Sequence, residues 1–132
     1  MRAADVRVGG SLPELVVDIT PTLIIGGALA SRDYQDVHHD GDLARASGAK
    51  DIFMNILTTN GFVGRFVTDW AGPDAILQRV AIRLGAPNYP GDRMQMTGTV
   101  TSKDEDVVEV DVRGTNSLGE HVTGTVSVRL PS

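Results

Sequence analysis

The sequence predicts an α+β domain in which an antiparallel sheet wraps around one long apolar helix. Three observations carry this. Apolar residues surround most of the circumference of the segment Ile52 to Thr68, as in a helix enclosed by other structure. After Trp70-Ala71-Gly72-Pro73 the hydrophobic period changes from helical to alternating and stays so to the end. Turn clusters rich in Gly, Pro, Asn and Asp then divide the alternating half into four strands.

The elements follow in order. Residues 1–12 mix small, charged and Gly residues without periodicity and predict a loose N-terminal arm. Leu15 to Ile19 reads as a short strand. Thr20-Pro21 supplies a cap and a first-turn proline for a helix ending near Ala30. SRDYQDVHHD is too polar for a core element and predicts a structured loop. Asp40 then caps a short helix through Ala46, closed by Gly48. In the central helix, Gly61 and Gly64 cost propensity and predict that another backbone approaches there. The four strands centre on Val80-Ile82-Leu84, Met94-Met96-Gly98-Val100, Val108-Val110-Val112 and Val122-Val126-Val128-Leu130, each alternating with polar or small residues. The whole chain, 1–132, is expected to form one domain whose open sheet edges favour pairing with a second copy or a relative.

Composition narrows the function. There is no cysteine, which removes thiolate metal sites and cysteine nucleophiles, and a reducing, cytoplasmic setting is expected. The net charge is -5, and Lys50 and Lys103 are the only lysines, which argues against nucleic-acid binding. The longest apolar run, near Leu23 to Ala30, is too short to span a membrane.

Chemistry concentrates in the polar loop. Asp33 and His38 stand five residues apart, close enough in an irregular segment to converge on one water as an acid/base pair. The plainer alternative is a turn in which Asp33 bonds its own backbone and His38 packs at the surface, and spacing alone leaves both open. Asp33, Asp36, His38, His39 and Asp40 are potential metal ligands, yet adjacent histidines diverge and no third lies nearby, so no metal is expected. Ser31 and Ser47 lack the strand-turn-helix setting of a serine nucleophile.

SRDYQDVHHD resembles the signature of the MaoC-like, or R-specific, enoyl-CoA hydratases of the hot-dog fold, in which a Ser-Gly-Asp-x-Asn-Pro-Ile-His-x-Asp run carries the catalytic Asp and His. Asp33 and His38 match those positions, Ser31 and Asp40 match the flanking ones, and Pro87-Asn88-Tyr89-Pro90-Gly91-Asp92 is similar to the family's Pro-x-x-Pro-Gly-Asp turn. Gln35-Asp36 replaces Asn-Pro, and Asn55-Ile56 replaces the frequent His-Gly at the start of the central helix. ALASRDYQDVHHD, KDIFMNILTTNGFV and FVTDWAGPDAILQ further resemble the small MaoC-like subunit of the heteromeric enoyl-CoA hydratases of actinobacterial steroid side-chain degradation.

The resemblance implies a hot-dog domain and a catalytic hydratase subunit. Its substrate would be a steroid acyl-CoA, a 17(20)-unsaturated pregnane carboxyl-CoA, hydrated during cholesterol side-chain degradation. Asp33 and His38 would be catalytic and the backbone N–H of Ile56 would hold the thioester oxygen, with Asn55, Lys50 and Arg83 as substrate contacts. No cofactor is implied, CoA being part of the substrate. The implied partner is a larger subunit with MaoC-like and DUF35 domains, joined to this chain in a heterotetramer, with a further link to a retro-aldolase through that partner. Phe53, Phe62 and Trp70 are candidate pocket aromatics whose default role is core packing. Two competing expectations are a hot-dog acyl-CoA thioesterase and a non-catalytic structural subunit.

Overall fold

The computed structural model describes residues 1–132. In chain order it contains β1 (Leu15–Asp18), α1 (Pro21–Ala30), a 3-10 turn (Asp36–His38), α2 (Gly41–Ala46), α3 (Ile56–Ala71), β2 (Ile76–Leu84), β3 (Arg93–Asp104), β4 (Val107–Asn116) and β5 (Gly119–Arg129). The strands form one antiparallel sheet in the order β1-β3-β4-β5-β2.

Alternation places one face of the sheet on α3. Met94, Met96 and Val100 on β3, Val108, Val110 and Val112 on β4, and Val122, Val126 and Val128 on β5 are buried with Val63, Phe66, Val67 and Ala71 of α3. Their neighbours Thr97, Thr99, Asp111 and Arg113 are exposed on the outer face. Gly98 belongs to the inner face because a Cβ there would stand 2.7 Å from the Phe66 ring, so the missing side chain lets the ring lie against the sheet.

Three sequence expectations need correction. The central helix begins at Ile56 rather than Ile52, because the Asn55 side chain accepts the Thr58 N–H and caps it. Ile52 and Met54 are buried in the extended lead-in instead. Nor is α3 enclosed all round, since Ile56 and Leu57 are each 52% exposed. The close approach expected at Gly61 and Gly64 occurs elsewhere. A Cβ at Gly61 would meet nothing within 4 Å, whereas one at Gly27 on α1 would fall 2.3 Å from the Thr58 hydroxyl.

Residues 1–12 are not a loose arm. β1 pairs only with Arg93 to Met96, which leaves the rest of the β3 edge open, and the arm covers it. Gly9 donates to the Val100 carbonyl, Val100 donates back to Gly10, and Leu12 donates to Gly98. Ala3, Val6 and Leu12 are buried, and the Lys103 ammonium donates to the carbonyls of Ala3 and Val6. Backbone pairing, which periodicity does not report, orders this segment. No helix is long and apolar enough to cross a membrane.

Candidate active site

The site begins where α1 ends. The Ser31 hydroxyl donates to Gly27 at 2.7 Å, and Arg32 takes a left-handed conformation at φ 56° that turns the chain out of the helix. Asp33 N–H then donates to Ala28. The polar loop folds back through its 3-10 turn and places His38, 5% exposed, beside Asp33.

The tautomer of His38 follows from its partners. Nδ1 lies 2.7 Å from the Phe53 carbonyl, which only accepts, so Nδ1 carries the proton. The Phe53 ring meets the imidazole edge-on, with centroids 5.0 Å apart. The remaining nitrogen, Nε2, faces Asp33 Oδ2 at 3.4 Å.

Asp33 is held from both sides. Oδ1 accepts the Gln35 N–H at 3.2 Å, and Oδ2 accepts the Asn55 amide at 3.1 Å. The Asn55 bond is the main influence holding the Asp33 carboxyl below its ordinary 3.8; partial burial works against it, and the Gln35 N–H and nearby His38 and His39 reinforce it. Asp33 is therefore ionised at neutral pH.

Directly after Asn55 comes the N-terminus of α3. The N–H groups of Ile56 and Leu57 donate to nothing in the protein, leaving two free donors at the positive end of a 16-residue helix. The family resemblance implies a donor at Ile56, and the helix start adds a second at Leu57. An Asn at the cap, three residues before Thr58, is the signal that fixes the helix start and so exposes both.

Other candidates separate from this centre. Asn55, 2% exposed, was expected to contact substrate, but its side chain is fully used inside the protein. It lies behind Asp33 as a support. Lys50 and Arg83 are exposed and form no ion pair, Lys50 bordering a hollow with Tyr89 and Asp92, and Arg83 another with Glu120 and Val122. Asp40 caps α2 through its bonds from Asp42 and Leu43, and His39 Nε2 donates to the Asp33 carbonyl, which accounts for two of the possible metal ligands. Trp70 lies 14 residues beyond Ile56 on α3, about 21 Å away at 1.5 Å per residue, too far to share a pocket with the pair.

The Pro87–Asp92 turn forms a floor. Asn88 is buried and accepts a bond from Asn116, Met54 N–H donates to the Asn88 carbonyl, and the Tyr89 ring meets Phe53 edge-on. Burial works to raise the Asp92 carboxyl, but bonds from Ser117 and Arg93 and the Lys50 charge hold it below 3.8.

The chain's largest hollow, about 450 Å³, lies on the outer sheet face among Thr97, Thr99, Asp111 and Arg113. No hollow of the single chain borders Asp33 or His38. Leu29, Tyr34, Ile56 and Leu57, which flank the site in sequence, are each more than half exposed.

Known proteins share the family and the fold of this chain. A family model, MaoC like domain, matches residues 10–122. The chain is 51% identical over 123 residues, 93% of its length and 95% of the relative's, to the 3-oxo-4,17-pregnadiene-20-carboxyl-CoA hydratase beta subunit of Mycobacterium tuberculosis. It superposes on a chain of the crystal structure of the ChsH1-ChsH2 complex from Mycobacterium tuberculosis with a TM-score of 0.92 and 51% identity, covering 94% of this chain and 98% of that one. The R-hydratase PhaJ1 of Pseudomonas aeruginosa matches at a TM-score of 0.91 and 22% identity over 99% of this chain and 86% of that one, a likeness of fold. The fold is the hot-dog fold.

Proposed function

The chain belongs to the MaoC-like domain family, and from that premise we propose that it is the catalytic subunit of a heteromeric enoyl-CoA hydratase acting on a steroid side chain. The observation that carries the reading is the approach of Asp33 Oδ2 to His38 Nε2, 3.4 Å apart, beside two free N–H groups at the start of α3.

The chemistry follows from these groups. Water held between Asp33 and His38 attacks the β carbon of the enoyl thioester, and His38 Nε2 takes its proton. The imidazolium so formed is stabilised by the Asp33 carboxylate and by its Nδ1–H bond to Phe53. Negative charge passes to the thioester oxygen, where the N–H groups of Ile56 and Leu57 receive it. Proton transfer from His38 to the α carbon completes the addition of one water and restores the neutral ring.

The 51% identity to a hydratase beta subunit supports a 17(20)-unsaturated pregnane carboxyl-CoA as substrate. An acyl-CoA substrate also fits a cytoplasmic setting. The absence of a walled pocket around the pair, with apolar residues exposed beside it, supports a division of labour in which this chain brings the acid/base pair and a partner closes the acyl pocket. We take that partner to be a larger subunit with MaoC-like and DUF35 domains, assembled as a heterotetramer and linking this chain to a retro-aldolase. Lys50 and Arg83, both without an ion pair, are the proposed contacts for the CoA phosphates.

The test is the loss of conjugated enoyl-thioester absorbance with the steroid acyl-CoA and with a short linear enoyl-CoA, for this chain alone and with the larger subunit. Hydration of the steroid substrate that needs the partner and vanishes in Asp33→Asn is the expected result. Release of free CoA from a saturated acyl-CoA would instead point to a thioesterase, and no reaction from the folded assembly to a structural subunit.

A further inference from the structure

Every hydrogen-bonding position of the Asn55 side chain is occupied, and the pattern fixes which way its amide points. Oδ1 accepts the Thr58 N–H at 3.1 Å and the Thr58 hydroxyl at 2.5 Å. A backbone N–H only donates, so the amide oxygen must face Thr58 and the NH₂ group must face the loop. There it donates to Ser31 Oγ at 2.9 Å and to Asp33 Oδ2 at 3.1 Å. Ser31 is fixed in turn, because its hydroxyl donates to the Gly27 carbonyl and leaves a lone pair for Asn55.

The carboxylate gains a defined plane from this. Oδ1 is tied to Gln35 N–H and Oδ2 to Asn55, and the same Oδ2 faces His38. Without the amide, only the Gln35 contact would limit rotation of the carboxylate about its terminal bond. The partners that fix Asn55 come from two separate elements, the first turn of α3 and the end of α1, so the alignment is transmitted from the helix packing into the loop.

Resting on the hydratase reading above, we infer that Asn55 is a positioning residue for the reaction: its amide donor aims Asp33 Oδ2 toward His38 while its amide oxygen caps α3. Its two halves serve different purposes and can be separated by substitution. Asn55→Asp keeps the shape and the capping oxygen, since Asp caps as well as Asn, but replaces the donor with a second carboxylate oxygen beside Asp33.

The experiment measures steroid enoyl-CoA hydration by the assembly that carries wild-type activity, comparing wild type, Asn55→Asp, Asp33→Asn and the double variant, together with thermal unfolding. Expected for Asn55→Asp are a Tm close to wild type, kcat lower by about tenfold or more with KM little changed, and an acid limb of the pH profile displaced toward neutrality. In the Asp33→Asn background the same substitution should cost almost nothing further, because Asn55 acts through Asp33. A purely structural role would lower Tm and leave the acid limb in place. If Asn55→Asp does not fold, Asn55→Ser keeps a capping oxygen and tests the same loss of donor.

Retained kcat and an unmoved acid limb in a folded Asn55 variant, with Asp33→Asn inactive, overturn the positioning role and leave the hydratase reading intact. Wild-type hydration by Asp33→Asn overturns the catalytic role of Asp33, and with it the reading of this chain as the catalytic subunit.

Discussion

Two buried histidines stand near the start of α3, and they differ in what faces Nε2. His38 and His121 are 5% and 2% exposed, and each gives its Nδ1–H to a backbone carbonyl, Phe53 at 2.7 Å and Ala86 at 2.6 Å. At His121 the second nitrogen accepts the Thr59 hydroxyl at 2.8 Å, and the network closes on itself. At His38 the second nitrogen meets no hydroxyl; it faces the Asp33 carboxylate at 3.4 Å. A histidine closed on a hydroxyl and a carbonyl serves the packing around it, whereas one set against a carboxylate has a partner with which it can share a proton. The comparison separates a histidine closed within the protein from the one proposed to react, without reference to depth, since both are deep.

The strongest way to break the comparison is to remove the carboxylate. Asp33→Asn should lower kcat for enoyl-CoA hydration by about a hundredfold or more while the far-ultraviolet circular dichroism stays unchanged. Activity within a few-fold of wild type would erase the distinction between the two histidines.

The converse substitution is Thr59→Val, which keeps shape and leaves His121 Nε2 buried without a partner. It should cost about 1–3 kcal/mol of stability in urea denaturation, with kcat of the folded enzyme nearly intact. Thr59→Ser, which restores the hydroxyl, should recover much of that loss.

A pH titration sharpens the contrast further. Burial depresses His121 below its ordinary 6.5, outweighing the opposing effect of the Ala86 carbonyl. The unfolded chain therefore takes up a proton near 6.5 while the folded chain resists it. The stabilising contribution is whole above that value and is lost as pH falls below it, with a slope of up to about 1.4 kcal/mol per pH unit. Urea midpoints measured from pH 7.5 to 5 should fall accordingly, and the slope should flatten in His121→Gln. Asp33 acts in another window: depressed below 3.8, its contribution is present above that value and fades only as pH falls through the lower folded value.

The smallest expected effects lie at the rims. Lys50 borders Tyr89 on the His38 side, whereas Arg83 lies on β2 next to the turn whose Ala86 carbonyl holds His121. Either alanine substitution should leave kcat unchanged and raise KM for the acyl-CoA by about fivefold at most, the range of an exposed charge contact. Steady-state kinetics of the two variants will show which side the CoA phosphates visit.

Much of this was legible in the residues. Period two after Pro73 located β2 to β5, because a half-buried sheet imposes alternation on its sequence, and Thr20-Pro21 and Asp40 marked helix starts through bonds local to the chain. The pairing of Asp33 with His38 was visible as a motif, and no periodicity revealed its geometry. What stayed hidden depends on contacts across long separations. The N-terminal arm is ordered by β3, some 90 residues later in the chain, and Asn55 reaches Asp33 over 22 positions. The start of α3 was misplaced by four residues, Ile52 against Ile56, because apolar lead-in residues such as Ile52 and Met54 look the same to a hydrophobic count whether helical or extended.

Phe53 holds His38 twice, by its carbonyl at Nδ1 and by its ring against the imidazole edge. Together these leave the side chain no second rotamer and no second tautomer to visit. An arriving water or substrate thus has no disorder in the ring to freeze out. The conformational entropy of the histidine was surrendered when the chain folded, so under the proposed mechanism binding free energy at this position goes into the reaction coordinate rather than into arresting the base.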